Sequence, residues 1–153
     1  MGYAIKCAAV LAAGMLLAGS PAAAQSNTAA EKVRRLDIML MVTSLRCRFG
    51  ADDFQADYAA FSARHLDALN AAGRELTAGL SAQYGPQGAK RALDRMSTRM
   101  ANSYGMGHPT LGCAELKQAT QQLSRAPDGV LAAAADTLLA GDAGGSVFQL
   151  AQR

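Results

Sequence analysis

The sequence lacks the features that mark several large classes of protein. Basic residues outnumber acidic ones only by 15 to 12, which gives a net charge of +3. A nucleic-acid-binding domain normally concentrates a larger basic excess on one face, so we expect no nucleic-acid partner. The chain also shows almost none of the apolar–polar alternation that marks β-strands. We therefore expect neither a nucleic-acid-binding domain nor a sheet.

Long hydrophobic runs are also absent. The longest, at 7–18, has about a dozen residues, whereas a helix needs about 20 to cross a bilayer. Lys6 precedes this run, and Ala22-Ala23-Ala24 follows it. A positive charge, an apolar stretch and an Ala-x-Ala motif in this order are typical of a cleaved signal peptide. The sequence thus predicts a signal peptide at 1–24, cleavage near Ala24/Gln25, a periplasmic or secreted protein, and no membrane span after cleavage.

Cysteine is scarce. Loss of the signal peptide removes Cys7 and leaves Cys47 and Cys113. In an oxidising compartment, two remaining cysteines most simply form a disulfide with each other. In the chain-entropy model, closing a loop of about 67 residues stabilises a fold by about 4 kcal/mol. That is a large share of the roughly 5–15 kcal/mol typical of a whole domain.

Catalytic motifs are missing as well. The chain has no Gly-x-Ser-x-Gly elbow, no His-Glu-x-x-His, no phosphate-binding loop and no Cys-x-x-Cys-His haem attachment. Its acidic residues are scattered, and a disulfide would occupy both mature cysteines. We therefore predict no cofactor and no dedicated metal site. The missing motifs favour a protein without catalytic activity but leave the question of an enzyme open.

Helix-forming residues dominate what is present. The chain after residue 24 is rich in Ala, Leu, Met, Gln and Arg. We predict an all-α fold, a single small bundle of about five helices tied by one disulfide. The bundle occupies 25–140, and a Gly-rich flexible C-terminal tail occupies 141–153. The predicted helices span about 29–49, 52–84, 85–104, 111–124 and 127–140.

Local signals set the expected helix ends. Gly50 is expected to end the first helix as a C-terminal glycine. Asp52 with Gln55 resembles a capping box for the second helix. Gly85-Pro86 should close that helix and open the third, because proline fits a first helical turn. Pro127 and the residue after it should open the fifth helix.

Apolar residues at spacings of three and four predict the buried side of each helix. The first helix is apolar nearly all round in its middle, which predicts a central position. The strongest periodic signal runs from Phe54 to Leu80 in the second helix and includes His65. Val130 is expected to face inward on the fifth helix. Cys47 and Cys113 both lie on inward stripes, as a bridge between packed helices requires.

His108 is the first candidate for chemistry. It lies between glycine and proline in the stretch 105–110, and a histidine there can meet a ligand and titrate near neutral pH. Glu115 follows about one helical turn into the fourth helix. The pair could act as acid and base in a small envelope hydrolase. The simpler interpretation is that His108 caps a helix end or faces solvent in a tight connection, and that His65 is a core or boundary residue with one hydrogen bond.

Methionine and arginine supply two further candidates for ligand binding. Met106 near His108 could serve a copper or haem carrier, because thioethers bind soft metals. The other helical methionines are better explained as core packing. Three arginines line one face of the third helix and could bind an anionic partner such as a phospholipid head group or an acidic protein face: Arg91, Arg95 and Arg99. The simpler interpretation of these three is a solvated face.

Three segments carry a resemblance to known proteins: 34–42, 52–57 and 107–116. They resemble a group of small exported bacterial proteins of unknown function, some of which bear the label S-adenosylhomocysteine hydrolase. This chain departs from that enzyme in length and export, and it lacks the Gly-x-Gly-x-x-Gly turn that such an NAD-using enzyme needs. The resemblance thus implies an exported helical protein and brings no known activity with it.

Together these observations predict an exported helical protein that binds a protein or a small ligand without catalysis. The binding site would lie on its surface or in the cleft beside the 105–110 loop. A small hydrolase using His108 and Glu115 is the alternative, and a Met/His copper or haem carrier is a further one.

Overall fold

The computed structural model describes residues 21–140, with side chains described from residue 28 onward. Five α-helices and one 3-10 turn follow one another in this part of the chain: α1 Pro21–Cys47, α2 Gln55–Arg64, α3 Leu66–Ser103, α4 Cys113–Leu123, the turn Asp128–Val130, and α5 Leu131–Leu138. No strand occurs among the described residues. The prediction of an all-α bundle of about five helices is confirmed. Residues 1–20 of the predicted signal peptide and the predicted tail at 141–153 lie outside the described residues.

α1 lies at the centre of the bundle, as its apolar middle predicts, and contacts each of the other four helices. Its 27 residues span about 40 Å. The inward stripe is buried as predicted: Val33, Leu36, Leu40, Ser44 and Cys47. Two predicted ends were wrong. The helix starts at Pro21 and not near 29, and it ends at Cys47, three residues before Gly50, which does not adopt a positive φ.

The second predicted helix is divided in the structure. His65, with φ −105° and ψ 16°, separates α2 from α3. The predicted capping box was also wrong, because α2 begins after Phe54 without a side-chain cap. Asp53 instead accepts a hydrogen bond from the Gln55 backbone at 3.0 Å. The periodic apolar positions on both sides of the break are nonetheless buried or half-buried, from Phe54 to Leu76.

α3 reverses direction at Gly85. This glycine has φ 68° and ψ 168°, which is not helical, and Pro86 follows it as predicted. Leu76 and Met96 line the same hollow of about 200 Å³. A straight helix would hold residues 20 apart at about 30 Å. The first half of α3 (66–84) and its second half (86–103) therefore lie side by side, and the predicted boundary at Gly85-Pro86 is confirmed.

The last helices close the bundle over α1. α4 buries Leu116, Thr120 and Leu123 against the core. The predicted fifth helix begins differently, because residues 128–130 form the 3-10 turn and α5 starts only at Leu131. Val130, predicted to face inward, is exposed in that turn.

A disulfide joins Cys47 at the end of α1 to Cys113 at the start of α4. The Cα atoms are 5.8 Å apart, within the usual range for such a bond. The predicted pairing is thus confirmed. Among the residues described, no helix is both long enough and apolar enough to span a bilayer.

Candidate binding surface

One side of α1 is covered along only part of its length. Ile38 is buried, and Arg34 one turn earlier donates to the Ser97 hydroxyl on α3 at 3.3 Å. Met41 and Leu45 continue the same helical stripe at spacings of three and four, and Phe49 follows in the turn after α1. All three are exposed. The second half of α3 runs alongside α1 as far as Ser103, and the loop after it reaches Arg46, yet these three side chains remain exposed within the described residues.

The loop after α3 reaches the same end of α1. The Arg46 Nη1 donates to the Gly105 carbonyl at 2.7 Å. A Cβ atom added at Gly107 would lie 3.5 Å from the Arg46 Nε. Met106, between these two glycines, is 88% exposed, and Phe49 is 86% exposed. They are the two most exposed large apolar side chains among the described residues, and Met106 lies between the two glycines that Arg46 approaches.

We define the Phe49 surface as the exposed apolar side chains at this end of α1, Met41, Leu45 and Phe49, together with Arg46, Arg48 and Met106, which lies in the loop that Arg46 contacts. A hollow of about 410 Å³ beside Phe49 is lined by part of this set together with Val42. The disulfide at Cys47, two residues before Phe49, ties this end of α1 to α4. The surface is therefore carried by a segment with little freedom to fold its apolar side chains inward.

The basic side chains at this end of α1 contact uncharged groups, either backbone carbonyls or an aromatic ring. The Arg48 guanidinium lies over the Phe49 ring at 4.3 Å and donates to the Leu45 carbonyl at 3.2 Å. Lys117 donates to the Ala51 carbonyl at 3.4 Å, and Arg46 bonds only to Gly105. Within the described residues none of the three cations forms an ion pair, whereas several cations elsewhere do: Lys32 with Asp136, Arg34 with Asp37, and Arg35 with Glu31.

Two carboxylates follow Phe49 in the chain. Asp53 is exposed and accepts a hydrogen bond from the Gln55 backbone, and Asp52 is half-buried. Glu115, exposed in the first turn of the helix that carries Lys117, is a third carboxylate at this end, so the three cations and three carboxylates balance in formal charge (3 − 3). The Phe49 surface is thus apolar at its tips, with Arg46 and Arg48 as the basic residues next to them.

His108 is occupied by contacts within the chain. Its Nε2 donates to the Leu138 carbonyl at 2.9 Å, while Nδ1 accepts from the backbone N–H of Thr110 at 3.2 Å and of Leu111 at 3.1 Å. The ring also stacks on Tyr104, with centroids 6.2 Å apart. Because backbone N–H groups only donate and a carbonyl only accepts, the ring hydrogen lies on Nε2. His108 ties the loop to the end of α5.

Glu115 also has a local partner. Its Oε2 accepts from the Gly112 backbone N–H at 2.6 Å, which satisfies a free donor at the start of α4. No hydrogen bond among the described residues joins Glu115 to His108. The two residues predicted as an acid and base pair thus each stabilise a chain turn, and neither ring nitrogen of His108 is free for a substrate.

His65 is a structural residue at the junction of α2 and α3. It is completely buried, with Nε2 donating to the Leu123 carbonyl at 2.8 Å and Nδ1 only 2.5 Å from the Asp128 carboxylate. The Arg64 guanidinium lies 3.7 Å from the same carboxylate oxygen. His65 therefore fastens the connection between α4 and α5 to the junction, with two hydrogen bonds where the sequence predicted one.

The other predicted candidates are spread over the molecule. The arginine stripe of α3 is exposed and forms no ion pair within the described residues: Arg91, Arg95 and Arg99. Met39 and Met100 are buried and Met96 is half-buried, in agreement with core packing, whereas the same prediction was wrong for Met41, which lies on an uncovered side of α1 and is exposed. Between residues 28 and 140, no three His, Cys, Asp or Glu side chains come together as a metal site would require.

One polar cluster was not predicted. The Tyr58 hydroxyl donates to the Asp37 carboxylate at 3.0 Å, and Arg34 lies 3.7 Å from the other oxygen. Burial raises the pKa of Asp37 above its ordinary 3.8, although the Tyr58 hydrogen bond and the Arg34 charge both act to lower it. Burial and the Asp37 charge raise the pKa of Tyr58 above 10.0. The Arg34 Nε is buried without a hydrogen-bond partner in the described structure.

The exposure of the Phe49 surface was also missed. The available signal was the apolar middle of α1, which continues on more than one face as far as Leu45. That pattern shows that α1 has more apolar sides than an ordinary surface helix. It cannot show which side the neighbouring helices leave uncovered, because that depends on how the bundle packs.

Comparison of the chain with protein-family models, with curated proteins and with solved structures yields no match. The function is therefore argued from the geometry of the chain itself.

Proposed function

We propose that this chain is an exported, non-catalytic binding protein that engages its partner through the Phe49 surface. The observation that carries the proposal is the cluster of uncovered apolar side chains on a disulfide-tied segment. An isolated exposed apolar residue is ordinary, but a group of large ones at one end of a small bundle is typical of an interaction site. The neutral partners of Arg46 and Arg48 leave their charges available to a ligand.

Export is part of the same proposal. The order of charge, apolar stretch and Ala-x-Ala motif in 1–24 supports a periplasmic or secreted location, and a disulfide fits an oxidising compartment. We also propose that the chain belongs with the exported bacterial proteins that it resembles. Intact-mass spectrometry of protein recovered from the cell envelope tests export. We expect a chain that begins at Gln25, and an uncleaved chain with free thiols would contradict the proposal.

The hydrolase and carrier alternatives receive no specific support. Both ring nitrogens of His108 hold the loop and α5 together, and Glu115 caps α4. Met106 projects into solvent and His65 is fully buried between α2 and α4. A substrate or a metal would have to displace these bonds before it could use either histidine.

Photo-crosslinking in cells tests the binding surface. A photoreactive phenylalanine analogue replaces Phe49 in one variant and Tyr84 in a matched control, because Tyr84 is an aromatic residue that is 52% exposed far along α3. We expect a reproducible adduct from position 49 and none from position 84. The adduct should fall several-fold when Leu45→Ser, which removes a neighbouring apolar contact, is added.

Two results would contradict the proposed function. One is the absence of any adduct at position 49 in envelope and in culture medium. The other is turnover of a cell-wall, ester or phosphate substrate by the purified protein that His108→Ala abolishes while the circular dichroism spectrum stays unchanged. The second result would establish the hydrolase in its place.

A further inference from the structure

We infer that the partner of the Phe49 surface is the surface of an anionic phospholipid bilayer, into which Phe49 and Met106 insert. This inference rests on the proposed function and names the class of its ligand. It concerns a peripheral contact of the folded bundle, made by two turns at one end of the molecule.

The shape of the surface favours a bilayer over a groove-binding partner. Phe49 lies in the turn after α1 and Met106 in the turn after α3, and both side chains project from the bundle. A protein partner that supplies a helix is usually received in a concave apolar groove, with its anchors at the floor. The hollow beside Phe49 is lined in part by Arg46 and Arg48 and so is not an apolar groove. Phe49 and Met106 are the most exposed apolar side chains of the surface, which suits insertion into a soft, flat bilayer.

The polar neighbours fit the depth of such an insertion. A peripheral apolar group enters only the boundary between head groups and acyl chains, about 5–10 Å deep. Arg48 lies over the Phe49 ring, and Arg46 holds the carbonyl next to Met106. Long basic side chains at this level keep their charge among the head groups while their carbon stems follow the apolar groups inward. When Phe49 and Met106 insert, both arginines therefore lie at the level of the lipid phosphates.

The charge pattern selects an anionic bilayer. Arg46, Arg48 and Lys117 have carbonyl or ring partners, so binding an anion would not break an ion pair in the described structure. Each basic residue near an anionic surface strengthens binding by roughly fivefold. Asp52, Asp53 and Glu115 equal the three cations in number. The apolar tips must therefore supply most of the affinity, and the preference for anionic lipid comes from Arg46 and Arg48, which lie next to the tips.

Vesicle co-sedimentation tests the inference. Oxidised protein recovered from the envelope is mixed with phosphatidylglycerol–phosphatidylcholine vesicles and with vesicles of phosphatidylcholine alone. We expect clearly stronger binding to the anionic vesicles. We expect Phe49→Ser combined with Met106→Ser to weaken that binding about tenfold or more, because each change removes an apolar group from the inserted part.

The control variant is Leu66→Ser. Leu66 is 54% exposed at the start of α3. In the chain, the whole of α2 lies between Leu66 and the turn that carries Phe49. This change should alter vesicle binding by less than about twofold, because an exposed apolar residue far from the tips does not insert. Arg48→Gln should reduce the preference for anionic vesicles and leave binding to neutral vesicles nearly unchanged.

The outcomes separate the two proposals. Vesicle binding that the double variant retains in full would overturn the inference, as would failure to bind anionic vesicles while position 49 crosslinks specifically to a protein. In the second case the proposed function stands with a protein partner. Absence of both vesicle binding and a crosslink would remove the inference and the proposed function together.

Discussion

At the scale of single residues, Asp37 makes stability depend on pH. Its pKa is raised in the folded state, so between pH 3.8 and that raised value the folded protein binds more protons than the unfolded chain. Stability from this residue is therefore highest below pH 3.8 and is lost as pH rises through the raised pKa. We expect the stability of the wild type relative to Asp37→Asn to fall across this window and then to stay constant.

Urea denaturation at a series of pH values measures this difference. Asparagine keeps an acceptor for the Tyr58 hydroxyl and does not ionise, so the comparison isolates the carboxylate. Loss of the Arg34 partner adds an offset that does not depend on pH in this range. Tyr58→Phe removes a hydrogen bond that lowers the pKa of Asp37, so it should extend the window to higher pH. Parallel stability curves for wild type and Asp37→Asn would refute the assignment.

His65 and Phe49 show which features of a residue the sequence alone can predict. Burial of His65 follows from its place in a periodic apolar run, and the structure confirms it. Its partners do not follow, because Asp128 is 63 positions away and Leu123 is 58 away, so only the packed fold brings them near. The exposure of Phe49 does not follow from the sequence either, because an apolar residue type does not show whether the packed helices cover it.

At the scale of elements, the helix boundaries that were predicted have local causes. Gly85 tolerates a positive φ and Pro86 suits a first helical turn, so these two residues alone predict the break in α3. The break at His65 has no glycine or proline, and the apolar spacing continues through it. Contacts with Leu123 and Asp128 hold that junction, and a periodic pattern contains no sign of them.

Two glycines of α3 give a matched test of this interpretation. Gly85 has φ 68° and ψ 168°, a conformation that is essentially confined to glycine, so Gly85→Ala should cost about 1–3 kcal/mol. Gly73 lies within the first half of α3 with no atom within 4 Å of the added side chain, so Gly73→Ala should stabilise the protein by about 0.5–1 kcal/mol. Urea midpoints compare the two. A harmless Gly85→Ala would mean that α3 is not reversed there.

At the scale of the whole molecule, α1 organises both the core and the candidate binding surface. Within the described residues this helix contacts every other helix and also carries the exposed Met41 and Leu45. Its composition, apolar on several faces, serves both purposes. A bundle this small therefore has its stability and its proposed binding site on one element, and the disulfide is placed where the two meet.

Opening the disulfide should affect these two properties together. Cys47–Cys113 closes a loop with a sequence separation of 66, for which the chain-entropy model gives about 4 kcal/mol of stability. We expect Cys47→Ser with Cys113→Ser to lower the free energy of unfolding by about that amount, measured by urea denaturation under oxidising conditions. Because the bond ties the end of α1 to α4, the same variant should bind anionic vesicles more weakly at temperatures where it is still folded. The wild-type protein after reduction should match the double variant. A loss below about 1 kcal/mol in both would mean that helix packing alone holds this end of α1, and that the Phe49 surface does not depend on the bond.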